Sequence, residues 1–421
     1  MIIEFSVSNY RSIKDRQTLS LVATKSSELR EENTFPSNRK TRLVKTAVIY
    51  GANASGKSNL FKALTFFFRF AVTSAFKQQI GESIRTDPFL FDKASIKEPS
   101  EFEIIFLVDN VRYRYGFTVD SEKVHTEWLF AVLNVQEVKL YSRVYQEIDI
   151  SNLNFKEGIS RKEFVRENTT FISVCAQHNG EIAKKVIDYF RTVTVLSGLS
   201  DNPFASMDML DDETRRNEIM GFLRFADIHI VGLKPEQKEV DLSTIPDPEL
   251  REFLNSKFGS KAQRMVTFGH AVYDGENPVG VEYLEPKDES SGTMKLFEYA
   301  GPILRALKTG ATLFIDEFDS RLHPLLLEGI IKLFVSPETN PRNVQLVVSC
   351  HAVNILTNRM FRRDQIWFCE KKSNGATELY SLVEYDEPVR KDASFGKNYL
   401  LGKYGAVPYL GDIFTQTECS G

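Results

Sequence analysis

Eight consecutive residues, Gly51-Ala52-Asn53-Ala54-Ser55-Gly56-Lys57-Ser58, offer the clearest chemistry in this chain. They fit G-x-x-x-x-G-K-[ST], in which glycines let the backbone turn so that successive N–H groups face phosphate oxygens. A triphosphate is the natural ligand. Lys57 would meet its β- and γ-phosphates as a point charge, and the Ser58 hydroxyl would hold Mg²⁺. Phosphoryl transfer to water also needs charge neutralisation and an oriented water. Asp316, directly after Leu313-Phe314-Ile315, suits a Mg²⁺ ligand, and Glu317 beside it could polarise the water. The plain alternative for this acidic pair is a helix cap or a solvated turn. His351 ends another apolar run, where an imidazole could donate to the γ-phosphate and report its loss. Gln177, after Phe171 to Ala176, is a candidate contact to Mg²⁺ and water, or a polar loop residue. Arg11, in Asn9-Tyr10-Arg11-Ser12, is either a nucleotide contact or a surface arginine.

These groups need elements to carry them. Leu43 to Tyr50 reads as a buried strand entering the glycine loop, and Ser58 to Phe70 as the helix leaving it, free of Gly and Pro. Ala311 to Ile315 and Val344 to Val348 read as strands ending at Asp316 and just before His351, with a helix around Pro324 to Phe334 between them. Alternating strands and helices predict a mostly parallel, helix-covered sheet that binds ligand at the carboxyl ends of its strands. Met1 to Val7 and Thr18 to Ala23 read as an antiparallel pair at the head of the main sheet, and Phe102 to Asp109, Val111 to Val119 and Glu127 to Leu133 as antiparallel strands of a β-subdomain beside it. Tyr113, Tyr115 and Phe117 alternate there with Arg112, Arg114 and Gly116, so one face is expected to be buried. The spacing predicts three regions: 1–135 with the glycine loop and β-subdomain, a mainly helical insertion over 136–286, and 287–421 with the remaining site residues. Helices are expected at Glu181 to Arg191 and Asp211 to Phe225, with a strand over Lys261 to Val272. Gly301-Pro302 is expected to kink or break the helix running to Leu307.

Ser290-Ser291-Gly292-Thr293 before that helix makes a second anion-binding helix N-terminus. If both helices belong to one sheet, Ser291 and Gly292 cannot share the phosphates bound at Gly51 within one subunit. A head-to-tail homodimer, in which this loop covers the ATP held by the partner, is the economical arrangement.

Composition excludes several classes. A net charge of -4 gives no whole-molecule positive field for nucleic acid, so DNA contact would need a local patch such as Arg39, Lys40, Arg42 and Lys45. The four cysteines, Cys175, Cys350, Cys369 and Cys419, show no C-x-x-C spacing, which argues against zinc or a disulfide framework and fits a reducing cytoplasm. The most apolar segment, Leu64 to Phe76, is short and interrupted by Arg69, so no membrane span is expected. No heptad pattern runs long enough for a coiled-coil arm.

Together these residues make the chain resemble the ABC-type ATPases of the RecF, SMC and OLD group. The resemblance rests on Asn9 to Ser12, on Gly51 to Ser58 with Asn59 as Walker A, on Glu289 to Thr293 as signature loop, on Ile315 to Asp319 as Walker B, and on His351 as switch histidine. More narrowly it resembles bacterial abortive-infection ATPases of the RloA and AbiL type, related to the PARIS and Septu antiphage ATPases. Tyr113 to Phe117, Asp316 to Pro324 and Tyr404 to Pro408 support this. The chain departs from the wider group with Glu289 at a usual leucine, Ser291 at a frequent glycine and His323 at the usual D-loop aspartate. The resemblance implies a P-loop NTPase fold of ABC-ATPase type that uses ATP and Mg²⁺. It implies an ATP-sandwiched homodimer or higher oligomer, and a separate effector, often a nuclease, released or restrained on a phage-derived trigger. A RecF-type DNA-repair ATPase that clamps DNA as an ATP-closed dimer is the competing reading.

Overall fold

The computed structural model describes residues 1–38, 41–226, 228–238, 263–385, 389–390 and 392–408. Arg39, Lys40, Cys419, residues 239–262 of the expected insertion and the first two residues of the strand expected from Lys261 lie outside them. The chain divides into two compact units. The first comprises 1–197, 310–319 and 327–421, and the second 198–309 and 320–326.

The first unit holds two large sheets. Strands are numbered in chain order. β1 (Ile2–Ser8), β2 (Gln17–Ser20), β6 (Ser100–Val108), β7 (Val111–Val119), β8 (Val124–Val132), β9 (Glu137–Val144) and β10 (Glu147–Ile150) form an antiparallel sheet in the order β10-β9-β8-β7-β6-β1-β2. β3 (Thr34–Pro36) and β4 (Arg42–Val44) pair separately after the short helix α1 (Arg30–Asn33). The second large sheet contains β5 (Thr46–Tyr50), β11 (Thr194–Ser197), β15 (Leu313–Asp316), β16 (Leu346–Ser349), β17 (Ile366–Lys371) and β18 (Thr377–Ser381), ordered β11-β15-β16-β5-β17-β18. Every neighbouring pair in it is parallel except β17 with β18. The mostly parallel sheet and the antiparallel β-subdomain are therefore both present.

Helix α2 (Lys57–Lys77) lies against both sheets. Its Phe61 ring meets Phe314 of β15 edge-on at 6.5 Å, and Phe67 stacks on Phe117 of β7 at 5.4 Å. The long aromatic run of this helix thus cements two sheets, each buried ring contributing about 1.5–3 kcal/mol of transfer free energy. Tyr113, Tyr115 and Phe117 are buried as the alternation predicts. Beneath them Glu127 is fully buried and accepts from Tyr115 Oη, Tyr141 Oη and the backbone N–H groups of Phe171 and Ile172, with the Arg143 guanidinium 3.6 Å away. Cys175, Cys350 and Cys369 are buried free thiols.

Among the described residues of 136–286, strands outnumber the expected helices, which corrects the expectation of a mainly helical insertion. β9 and β10 extend the antiparallel sheet, and β11 joins the edge of the parallel one. Helices α3 (Phe171–Gln177) and α4 (Glu181–Thr192) pack on α2 within the first unit. The charges that suggested helix, such as Glu137, Lys139 and Glu147, are exposed residues of β9 and of the edge strand β10. In the second unit, α5 (Phe204–Met207) and α6 (Glu213–Phe225) accompany a three-stranded sheet of β12 (Ile230–Lys238), β13 (Gln263–Asp274) and β14 (Asn277–Leu284).

Pro302 does not break α7 (Ser291–Thr309), which runs through it. Ser206 bridges the turn beside it. Its hydroxyl donates to Phe297 O and lies 3.4 Å from Glu298 O, while Gly301 N donates back to Ser206 Oγ at 2.8 Å. A Cβ on Gly301 would sit 2.6 Å from Ser206 N, so only glycine admits this approach. Among the described residues, no helix is long and apolar enough to cross a membrane.

Candidate functional site

β5 is buried along its whole length between β16 and β17, and it ends where the glycine loop begins. The loop reaches α2 through two left-handed positions, Ala54 at φ 61° and Gly56 at φ 109°. A side chain at Gly56 is excluded twice, by its φ and by Thr377 Oγ1, which would lie 1.9 Å from a Cβ. Gly51 is similarly pressed against the Cys369 carbonyl, 2.3 Å from a would-be Cβ. The sequence places glycine where the chain crosses its neighbours most closely.

Lys57 folds back over this loop, its ammonium donating to Gly51 O at 2.8 Å and Ala52 O at 3.1 Å. Burial lowers its pKa, while Cys369 and the carboxylates of Asp316, Glu317 and Asp319 act in the opposite direction. Loop and lysine line a cavity of about 800 Å³ with Ser12, Asn53, Ala54, Ser55, Gly56, Ser58, Asn59, Phe91, Glu317, His351, Lys371 and Gly375. That volume is ample for a nucleotide.

The acidic pair is fixed by its neighbour strand. Ser349 Oγ, at the end of β16, donates to Asp316 Oδ1 at 2.6 Å and accepts from Glu317 N at 2.7 Å. Asp316 is buried at the end of β15, and Glu317 at φ 51° turns the chain so that its side chain lines the cavity. Asp319 then accepts from His351 N at 2.9 Å, tying the segment after β15 to the one after β16. Partial burial, and after it the Lys57 ammonium, lower the His351 pKa from 6.5, so the ring is neutral at neutral pH.

Two further side chains were not singled out in the sequence. Ser12 Oγ accepts from Asn59 Nδ2 and shares a 2.7 Å hydrogen bond with Thr377 Oγ1, which also donates to Ser55 O. Both brace the glycine loop from outside. The Asn9 to Ser12 motif drew attention through its arginine, yet the turn residue that lines the cavity is Ser12. Arg11 instead pairs with Asp87, at 2.6 Å, and stacks over Tyr10. Gln177 is exposed at the end of α3 and is not among the cavity's lining residues. Nothing in the sequence signals Thr377 or Ser349, because each matters only through pairing between distant strands.

Ser291 and Gly292 belong to the second unit, at the start of α7. Ser290 Oγ caps that helix, accepting from Thr293 N at 3.0 Å. Ser291 is exposed, and Glu289 turns inward to meet His270 Nε2 at 2.6 Å. Gly292 faces the carbonyl of Arg321, 3.1 Å from a would-be Cβ.

Residues 47–357 match the family model described as "AAA domain, putative AbiEii toxin, Type IV TA system". The chain belongs to this AAA family. The matched stretch includes the glycine loop, Asp316, Glu317 and His351, and it runs through both units. No curated protein sequence matches the chain. Among solved structures, the SMC head domain from Thermotoga maritima is 12% identical over 90% of this chain and 98% of that one, with a TM-score of 0.38. An Smc head domain with an extended coiled coil bound to the C-terminal domain of ScpA, derived from Pyrococcus furiosus, is 13% identical over 90% and 96%, with a TM-score of 0.37. At these scores the assignment to the AAA family rests on the sequence match.

The residues fit ATP and Mg²⁺. Among the described residues no cluster of three His, Cys, Asp or Glu side chains could hold a metal by itself. Mg²⁺ at phosphate sites is instead held by one or two protein oxygens, with substrate phosphates and waters completing its shell. Ser58, which lines the cavity, and Asp316, which ends β15 and is not among the cavity's lining residues, are the residues that would hold it.

Proposed function

We propose that this protein binds and hydrolyses ATP in the cavity between the glycine loop and the ends of β15 and β16, as the sensor and scaffold of an antiphage system. Gly51 to Asn59 cradle the triphosphate, Lys57 faces its β- and γ-phosphates, and Ser58 and Asp316 hold Mg²⁺. Bound ATP supplies the phosphoryl group and Mg²⁺ neutralises its charge. Glu317 orients and polarises the attacking water, and neutral His351 donates toward the γ-phosphate. One observation carries this reading: Lys57, Ser58, Glu317 and His351, far apart in sequence, line a single cavity.

Ser291 and Gly292 are read as the cover of a partner's nucleotide in a head-to-tail dimer, so that hydrolysis separates the two copies. Control of a separate effector, in abortive infection triggered by a phage product, follows the RloA and AbiL resemblance and the family description, which names a putative AbiEii toxin. A DNA clamp of RecF type is less favoured, because the net charge of -4 offers no general attraction for a polyanion.

Sizing and ATP binding of the wild type and Lys57→Ala test the reading together. Wild type is expected to bind ATP and shift from monomer to dimer on adding it, and the variant to do neither. Normal nucleotide affinity in Lys57→Ala would remove the site assignment. Tight, ATP-dependent duplex binding at physiological salt would favour the clamp.

A further inference from the structure

The loop Asp87 to Asp92 presents Phe91 to solvent at 72% exposure, within the cavity that holds the glycine loop. A large apolar ring left open to water is notable when its neighbour Phe89 is fully buried. The loop is anchored on both sides of Phe91. Arg11 binds Asp87 through a backbone hydrogen bond of 2.7 Å and an ion pair of 2.6 Å. Asn9 Oδ1 accepts from Phe89 N at 3.0 Å, and Asp92 is held by Ser95 Oγ at 2.7 Å and by Lys14 at 3.4 Å.

The ring itself is oriented. Phe89 meets it edge-on, with centroids 5.6 Å apart and planes at 86°. Gly375, at φ +80° in the β17–β18 turn, lies so close that a Cβ would come within 3.0 Å of Phe91 Cδ2 and 3.8 Å of Lys371 Cε. The ring of Phe91 and the stem of Lys371 therefore flank one glycine.

We propose that Phe91 is the platform on which the purine base of the bound nucleotide stacks, with Lys371 beside it to donate to a ring nitrogen. This rests on the ATP-binding reading and adds a base subsite to it. The chemistry matches: every base has a π-face, purines offer the larger one, and a pre-oriented ring loses little freedom on stacking. Arg11 and Asn9 act as positioning residues for the loop, which gives the Asn-Tyr-Arg-Ser turn a role without any phosphate contact from Arg11.

The test compares ATP with inorganic tripolyphosphate, a probe that has the phosphates and no base, by calorimetry on the full chain. Phe91→Ala is expected to weaken ATP by roughly 5- to 150-fold, the range for losing one base–aromatic stack, and to leave tripolyphosphate affinity unchanged. Phe91→Trp is expected to restore ATP binding, and wild type to prefer ATP over CTP. Equal weakening of both probes in Phe91→Ala would make the residue structural, and unchanged ATP affinity would remove the platform. If wild type binds neither probe, the triphosphate site itself fails. If tripolyphosphate binds and ATP binds no tighter, only the base subsite fails.

Discussion

His351 shows how one side chain is tuned by what surrounds it. Partial burial and the Lys57 ammonium both disfavour the imidazolium, so its pKa lies below the ordinary 6.5. A histidine whose folded-state pKa is lowered binds fewer protons folded than unfolded, so stability falls as pH drops below about 6.5 toward the folded value. Nuclear magnetic resonance of the ring should give a midpoint under 6.5, moving upward in Lys57→Ala. A midpoint at or above 6.5 in the wild type would contradict the placement of this ring beside the lysine. Sequence alone singled out His351 and Glu317 by their position after apolar strands, and the structure places both in the lining of one cavity. The sequence left Arg11 open between a nucleotide contact and a surface arginine, and the structure pairs it with Asp87, a contact between distant residues that no local motif discloses.

At the scale of elements, the strands that carry the site were legible because parallel, doubly covered strands are continuous apolar runs. β9 and β10 were not, since their solvated charges disguise a period of two. Nor could the sequence disclose that Glu127, one of three adjoining polar residues in β8, would be the buried node joining β7, β8, β9 and the start of α3. Glu127→Ala leaves two buried tyrosine hydroxyls without their acceptor and the buried Arg143 without its counter-charge. Urea unfolding should show a loss of about 3–5 kcal/mol, the cost of stranding one half of a buried pair. A loss under about 1 kcal/mol, within the range of ordinary surface substitutions or slightly above, would mean the node is solvated or replaceable. Ser206 illustrates the same limit, since its bridge between Gly301 N and Phe297 O depends on α5 meeting α7.

Across the molecule, glycine loop, acidic strand end and histidine belong to the first unit, and Ser290 to Thr293 to the second. The chain reaches Asp319 in the first unit and enters the second at Ser320, only four residues after Asp316. The account stands on Glu317 acting on water in the cavity that Lys57 lines. Phosphate release by wild type and Glu317→Gln, each saturated with ATP and Mg²⁺, addresses it most directly. The wild type should turn over, and the variant should bind ATP yet release phosphate about 10²–10⁴-fold more slowly, the span expected for losing a general base. Equal rates in the two proteins, or no release from either, would contradict it.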